Sequence, residues 1–155
     1  MLEFRAVSPA DPEAHATLTE YFDLRAAEFP GGTYTPTFPI PAAFEPPAGV
    51  FLLAGPAGAA IGCGGIRRLE DADAGIRYEV KHLFLRPETR GKGWGRAILE
   101  ELELRARQWG AAELVLDTHH TLEAAGGLYA RSGFHQIDRY NENPNATRWY
   151  RKRLD

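Results

Sequence analysis

The sequence holds one cysteine, Cys63, in 155 residues. No disulfide can form within the chain, so the fold has to rest on apolar packing, and the usage fits a reducing compartment; a cytoplasmic location is the expectation. No apolar run approaches the roughly 20 residues that a membrane-crossing helix needs. Met1-Leu2-Glu3-Phe4-Arg5 carries neither a basic nor an apolar leader. Charge is nearly balanced, with 18 Lys and Arg against 21 Asp and Glu for a net −3, so there is no broad basic field for nucleic acid and no polybasic anchor for a membrane. No internal repeat is present. There is no Cys pair and no H-E-x-x-H, and the adjacent His119 and His120 are by themselves a weak pointer to a metal, so no metal is expected. What these absences leave is one domain, residues 1–155, long enough for a single core.

The most informative stretch is Leu83-Phe84-Leu85-Arg86-Pro87-Glu88-Thr89-Arg90-Gly91-Lys92-Gly93-Trp94-Gly95-Arg96. An apolar strand ends at Pro87, a short turn brings glycines at alternate positions, and a helix starts at once. Glycine allows positive φ and close approach of backbone N–H groups to a ligand. The helix N-terminus adds unpaired N–H groups and the positive end of the macrodipole. Together they suit a phosphate or pyrophosphate, with Arg90 and Lys92 as charged donors. The spacing is G-x-G-x-G rather than G-x-G-x-x-G, and no Gly-Lys-Ser/Thr follows, which argues against a dinucleotide fingerprint and a nucleoside-triphosphate loop.

Around this stretch the pattern alternates strands and helices. Residues 2–7 form a short strand candidate. Ser8-Pro9 and Asp11-Pro12 both offer a helix start, and Leu18, Phe22, Arg25 and Phe29 recur at helical spacing until Pro30-Gly31-Gly32. Residues 31–49 carry five prolines with Tyr34, Phe38 and Phe44 between them. Such a long loop is either a cover over the core or a wall of a substrate pocket. Residues 50–54 and 59–67 read as a hairpin, in which Gly62, Gly64 and Gly65 suggest a bulge or close backbone approach, and Cys63 reads as a small buried hydrophobe. The strand leading to the glycine loop starts at Arg77 or Tyr78. After the loop, Ile98, Leu102, Ala106 and Trp109 form a helical stripe, Glu101→Arg105 and Glu103→Arg107 are favourable i,i+4 pairs, and Gly110 ends the helix. A strand at 112–117, a second helix from about 121 to 132, and closing strands at 133–137 and 147–152 complete the chain.

Arg90-Gly91-Lys92-Gly93-Trp94-Gly95 after an apolar strand, with Gly127-Leu128-Tyr129 and Gly133-Phe134 further on, resembles the GCN5-related N-acetyltransferases. The match is best from Glu79 to Ile137. The resemblance implies an α/β (α+β) fold, a mixed and mainly antiparallel sheet with helices on both faces and a splay between two central strands, here 78–85 and 112–117. It implies acetyl-CoA as cosubstrate. The backbone of Leu83, Phe84 and Leu85 would hold the pantetheine and acetyl carbonyl, and Arg90, Gly91, Lys92, Gly93, Trp94, Gly95 and Arg96 would hold the pyrophosphate. Arg131 could reach the nucleotide end. Relatives commonly carry Asn seven residues before the Tyr; here that position is Leu122, so His119 or the backbone of Thr118 takes over, or the contact is absent.

The implied reaction moves an acetyl group directly to a primary amine. An alkylammonium has a pKa near 10 and must lose a proton before it attacks. Glu79, six residues before Leu85 as in several relatives, is the candidate base, acting directly or through a water. Strict alternation would put it on one face with Lys81, Leu83 and Leu85. The bland reading of Glu79 is a salt-bridged structural carboxylate with Lys81 or Arg77. Tyr129 is the candidate acid for the departing thiolate, and His82, on the other face, is core or surface. Tyr34, Phe38 and Tyr140 are acceptor-site candidates. The acceptor is a small amine or a peptide, a homodimer is left open, and the competing readings are a non-catalytic acyl-CoA sensor or a nucleotide-binding domain.

Overall fold

Seven strands form one sheet in the computed structural model, which describes residues 2–154. They are β1 (Phe4–Ala6), β2 (Gly49–Ala54), β3 (Gly62–Arg68), β4 (Arg77–Leu85), β5 (Glu113–Thr118), β6 (His135–Ile137) and β7 (Arg148–Arg153). Their order is β1-β2-β3-β4-β5-β7-β6. Every neighbouring pair is antiparallel except β4 and β5. The helices are α1 (Pro12–Glu28), α2 (Trp94–Gln108) and α3 (Glu123–Arg131). This is the mixed, mainly antiparallel arrangement that the sequence led us to expect.

Local chemistry accounts for the helix boundaries. Of the two possible starts for α1, Asp11 is the cap: its Oδ2 accepts from the N–H groups of Glu13 (3.1 Å) and Ala14 (3.3 Å), and Pro12 takes the first helical position. In α2 the pairs Glu101–Arg105 and Glu103–Arg107 form at 3.0 and 3.2 Å. Such pairs contribute only a few tenths of a kcal/mol each. Burying Ile98, Leu99 and Leu102, at about 1.5–3 kcal/mol each, is what fastens the helix. Arg105 and Arg107 stand in its last turn, and Gly110 follows at φ +81°.

The sheet separates two cores. On one face the α2 stripe meets Val50, Leu52, Ile66, Tyr78 and Val80. On the other, Ala14, Leu18 and Phe22 of α1 meet Phe51, Leu53, Cys63, Phe84 and Phe44. Successive β2 residues therefore alternate between the cores, as a strand buried on both faces must. The β3 glycines set the spacing of the layers. A Cβ on Gly64 would lie 3.0 Å from Ile98 Cγ2, and one on Gly65 would lie 2.8 Å from the Phe44 ring. Cys63 is fully buried, and burial pushes its thiol up, in keeping with an inert small hydrophobe.

One expectation fails in β4. Lys81 pairs with Gly65 and Phe84 with Cys63, so His82 and Leu83 together stand opposite Gly64 alone. This is a β-bulge, and His82 takes φ +58° within it. The extra residue breaks the alternation. Tyr78 and Val80 share a core with Leu83 and Leu85, whereas the His82 ring packs on Phe22 and Phe44 beside Phe84. Glu79 and Lys81 are consequently on the opposite face from Leu83 and Leu85, not on the same one.

Candidate functional site

β4 and β5 pair only at Arg77–Glu113, Tyr78–Leu114 and Glu79–Val115. Beyond Glu79 each strand continues without the other, β4 to Leu85 and β5 to Thr118. Facing strand edges that part in this way leave backbone donors and acceptors for a third, strand-like partner. The gap opens into a cavity of about 1070 Å³, large enough for more than one small molecule.

One end of the cavity is the glycine loop. Gly91 and Gly93 take φ +85° and +78°, and a Cβ on either would meet nothing within 4 Å. Gly93 is the cap residue of α2, and no side chain caps the helix. The first helical hydrogen bond runs from Ala97 N–H to Gly93 O, so the N–H groups of Trp94, Gly95 and Arg96 have no partner within the helix. α1 satisfies such donors with Asp11, whereas α2 leaves them facing the cavity, with Arg90 in the wall beside them. That is an anion site. The wall also includes Gly91, Gly93, Trp94, Gly95 and Arg96, the last with its guanidinium on Glu100 at 2.8 Å. Lys92 is not part of the wall, and its ammonium lies 4.9 Å over the Trp94 ring.

The middle of the cavity holds Leu83, Phe84 and Leu85 on one side and Tyr129 on another. Tyr129 is buried between the rings of Phe134 and Tyr150. Burial pushes its phenol well above the usual range, with Tyr21, Asp117 and Tyr150 adding to the rise and Arg25 opposing it. Its hydroxyl has no hydrogen-bond partner among the described residues. The phenol therefore keeps its proton at neutral pH, the state that a proton donor in this cavity requires.

Glu79 is placed differently from a group that meets substrate directly. It is fully buried, and it stands behind the cavity wall. Oε1 accepts from Arg67 at 2.9 Å, and Oε2 accepts from the Tyr140 hydroxyl, with Asn141 Nδ2 at 3.4 Å and Lys81 Nζ at 3.6 Å. Arg67, Lys81 and Asn141 do line the cavity. Asp117 lines it too, and accepts from Lys81 at 3.1 Å and Asn141 at 2.7 Å. The bland reading was thus partly right, with Arg67 rather than Arg77 as the main partner. Tyr140, expected at the acceptor site, instead donates its hydroxyl to Glu79 and lies with its ring under Arg77, outside the cavity wall.

The residues at the other end are better placed. Tyr34 and Phe38 line the cavity, and the loop carrying them is tied to the 141–146 turn. Thr35 N–H donates to Asn145 Oδ1 (3.2 Å), and Asn145 Nδ2 donates to Thr35 O (2.7 Å). Phe44, from the same proline-rich stretch, is core. The stretch is both cover and wall.

His82 is the residue that alternation misplaced. It lines the cavity within a nest of rings from Tyr21, Phe22 and Phe44. Burial pushes its imidazole down to about 3, helped by Lys81 and Arg67 and opposed by Asp117, so it is neutral at pH 7. In the unfolded chain it would take a proton near pH 6.5. The folded state therefore loses stability as the pH falls from about 6.5 toward 3. The Tm of a His82→Gln variant is expected to fall less steeply over that window than that of the natural protein, read by a thermal melt at each pH.

A glycine loop on an uncapped helix, two parted central strands and a buried tyrosine on the next helix coincide with a family pattern. Residues 18–134 match the model of the Acetyltransferase (GNAT) family. The chain belongs to the GNAT family. An uncharacterised N-acetyltransferase of Schizosaccharomyces pombe is 33% identical over 102 residues, a match that covers 65% of this chain and 61% of that protein. The crystal structure of a GNAT-family acetyltransferase from Staphylococcus aureus superposes with a TM-score of 0.81 at 17% identity, covering 99% of this chain and 100% of the other. A GNAT-family acetyltransferase from Elizabethkingia anophelis, whose structure has acetyl-CoA bound, gives 0.66 at 16% identity, covering 99% and 98%.

Against the GNAT pattern, the missing Asn matters most. Leu122 occupies its place at the start of α3 and lines the cavity with Thr118 and Thr121. His119 does not replace it. Its Nδ1 faces Thr121 Oγ1 at 2.7 Å and its ring packs on Phe29, outside the wall. Arg131 does line the cavity. Among the described residues no group of three or more His, Cys, Asp or Glu is placed to hold a metal ion, and no helix is long and apolar enough to cross a membrane.

Proposed function

We propose that this protein transfers an acetyl group from acetyl-CoA to a primary amine. The observation that carries the reading is the continuous path from the uncapped start of α2, through the gap between β4 and β5, to Tyr129. An anion site, a slot for an extended amide-bearing arm and a protonated phenol follow one another in a single cavity. Acetyl-CoA supplies the acyl group as an activated thioester. The N–H groups of residues 94–96 and Arg90 would bind its pyrophosphate, and the free edge of β4 would pair with its pantetheine arm and orient the acetyl carbonyl. Tyr129 would donate its proton to the departing sulfur.

Glu79 enters as the proton sink through a water. Besides the Tyr140 hydroxyl, Oε2 has only long contacts, to Asn141 at 3.4 Å and Lys81 at 3.6 Å, and both residues open onto the cavity. Arg67 and Lys81 keep the carboxylate from being an isolated buried charge. Their positive charge also disfavours an ammonium in the cavity and so favours the free amine.

The test is thiol release from acetyl-CoA on adding members of an amine panel, with the acetylated amine identified by mass. Amine-dependent release is expected, and its absence across the panel, with coenzyme A bound, contradicts the reading. In the same assay Glu79→Gln should lower kcat/KM about 100-fold. An unchanged rate would remove Glu79 from the mechanism.

A further inference from the structure

The acceptor end of the cavity contains a cation that the reaction proposed above does not use. Arg25, in the last turn of α1, is only 8% exposed and lines the cavity. No carboxylate among the described residues lies within ion-pair distance of it. The other cations on this side are committed, Arg67 to Glu79 and Lys81 to Asp117. Arg25 is instead fixed by rings: its guanidinium lies 5.0 Å over Tyr34 and 5.8 Å over Phe29. Stacking and the helix C-terminus return part of the desolvation cost of a buried guanidinium, but neither fills its fork of hydrogen-bond donors.

We infer that Arg25 is the anion-binding residue of the acceptor site, and that the amine acceptor carries a carboxylate, as a free amino acid does. This rests on the reading of the cavity as an amine-acetylation site. A planar guanidinium held by aromatic rings presents two parallel donors to a carboxylate. Beside it are the phenols of Tyr21 and Tyr34, whose oxygens face the guanidinium as acceptors and take up part of its fork, and burial keeps both protonated. One cation among neutral hydroxyls balances one negative charge. Arg25 and Tyr129 line one cavity, so one small molecule could span from the guanidinium to the acyl group. Glu28 lines the same cavity and would discourage a multiply charged anion.

The experiment compares L-amino acids, each beside its own carboxamide, as acceptors for the natural protein, Arg25→Gln and Arg25→Lys. For at least one pair the free acid should be favoured about 10-fold or more in kcat/KM. Arg25→Gln should bring that ratio within about 2-fold by raising the KM of the acid, with the KM for acetyl-CoA and the Tm little changed, and Arg25→Lys should restore part of the preference. Equal use of acid and amide by the natural protein, or a preference that survives Arg25→Gln, overturns the inference. The same panel titrated calorimetrically onto the protein–coenzyme A complex separates the two readings. Carboxylate-dependent binding that Arg25→Gln abolishes, with no amine acetylated, keeps the anion site and discards the transfer reaction. No carboxylate-dependent binding discards the anion site whether or not transfer occurs.

Discussion

Tyr129→Phe is expected to lower kcat for acetyl transfer by about 10²- to 10³-fold while the KM for acetyl-CoA stays within about 2-fold. The variant removes one oxygen from a ring whose packing on Phe134 and Tyr150 is otherwise retained. The hydroxyl holds up no other protein group among the described residues, so its loss strands no buried donor or acceptor and the fold should be unaffected. What is lost is a proton that burial keeps on the phenol well beyond neutral pH. A thiolate leaving without that proton is the poorer leaving group, so the deficit should be largest where thiolate expulsion, not amine attack, limits the rate. Steady-state rates with acetyl-CoA and any accepted amine measure it, and normal turnover by Tyr129→Phe would take the residue out of the chemistry.

Gly93→Val should weaken coenzyme A binding by about 100-fold or more, with a fall in Tm of only a few degrees. At φ +78° a β-branched residue is strongly disfavoured, so the backbone must rotate at the cap of α2. That rotation turns the N–H groups of residues 94–96 away from their common focus. Losing two hydrogen bonds to a charged group, at about 1.5–3 kcal/mol each, accounts for the expected loss. The space in front of Gly93 is open, so the valine side chain displaces no core atom, the cost to the fold is limited to about 1–2 kcal/mol of backbone strain, and binding should suffer more than stability. A titration of coenzyme A into the variant, beside its thermal melt, reads both. Undiminished binding would mean that the loop is a connection and not a cradle.

The parts of the site legible in the sequence are those written in local rules. Alternate glycines before an amphipathic stripe announce a turn and a helix start, and Glu101 and Glu103 announce their arginine partners four residues on. The parts that stayed hidden depend on contacts between distant segments. Nothing in Arg77–Leu85 marks the bulge at His82, because the extra residue is defined by its register against Cys63 and Gly65, and a single misplaced residue reverses every side chain after it. That reversal puts Glu79 on the opposite face of β4 from Leu83 and Leu85. Tyr140 and Asn141 are neighbours in an irregular turn, and only the packed structure assigns the first to Glu79 and the second to the cavity. Arg25 did leave a trace: it occupies a position of the inward stripe with Leu18, Phe22 and Phe29, where a charge is out of place unless something answers it.

The most direct measurement is a calorimetric titration of the purified protein with coenzyme A and, separately, with ATP. The account predicts one coenzyme A per chain, with Kd between about 1 μM and 1 mM as for enzyme substrates in general, and at least tenfold weaker binding of ATP, which offers phosphates but no pantetheine arm for the gap between β4 and β5. No binding of coenzyme A, or ATP binding as tight, would contradict it.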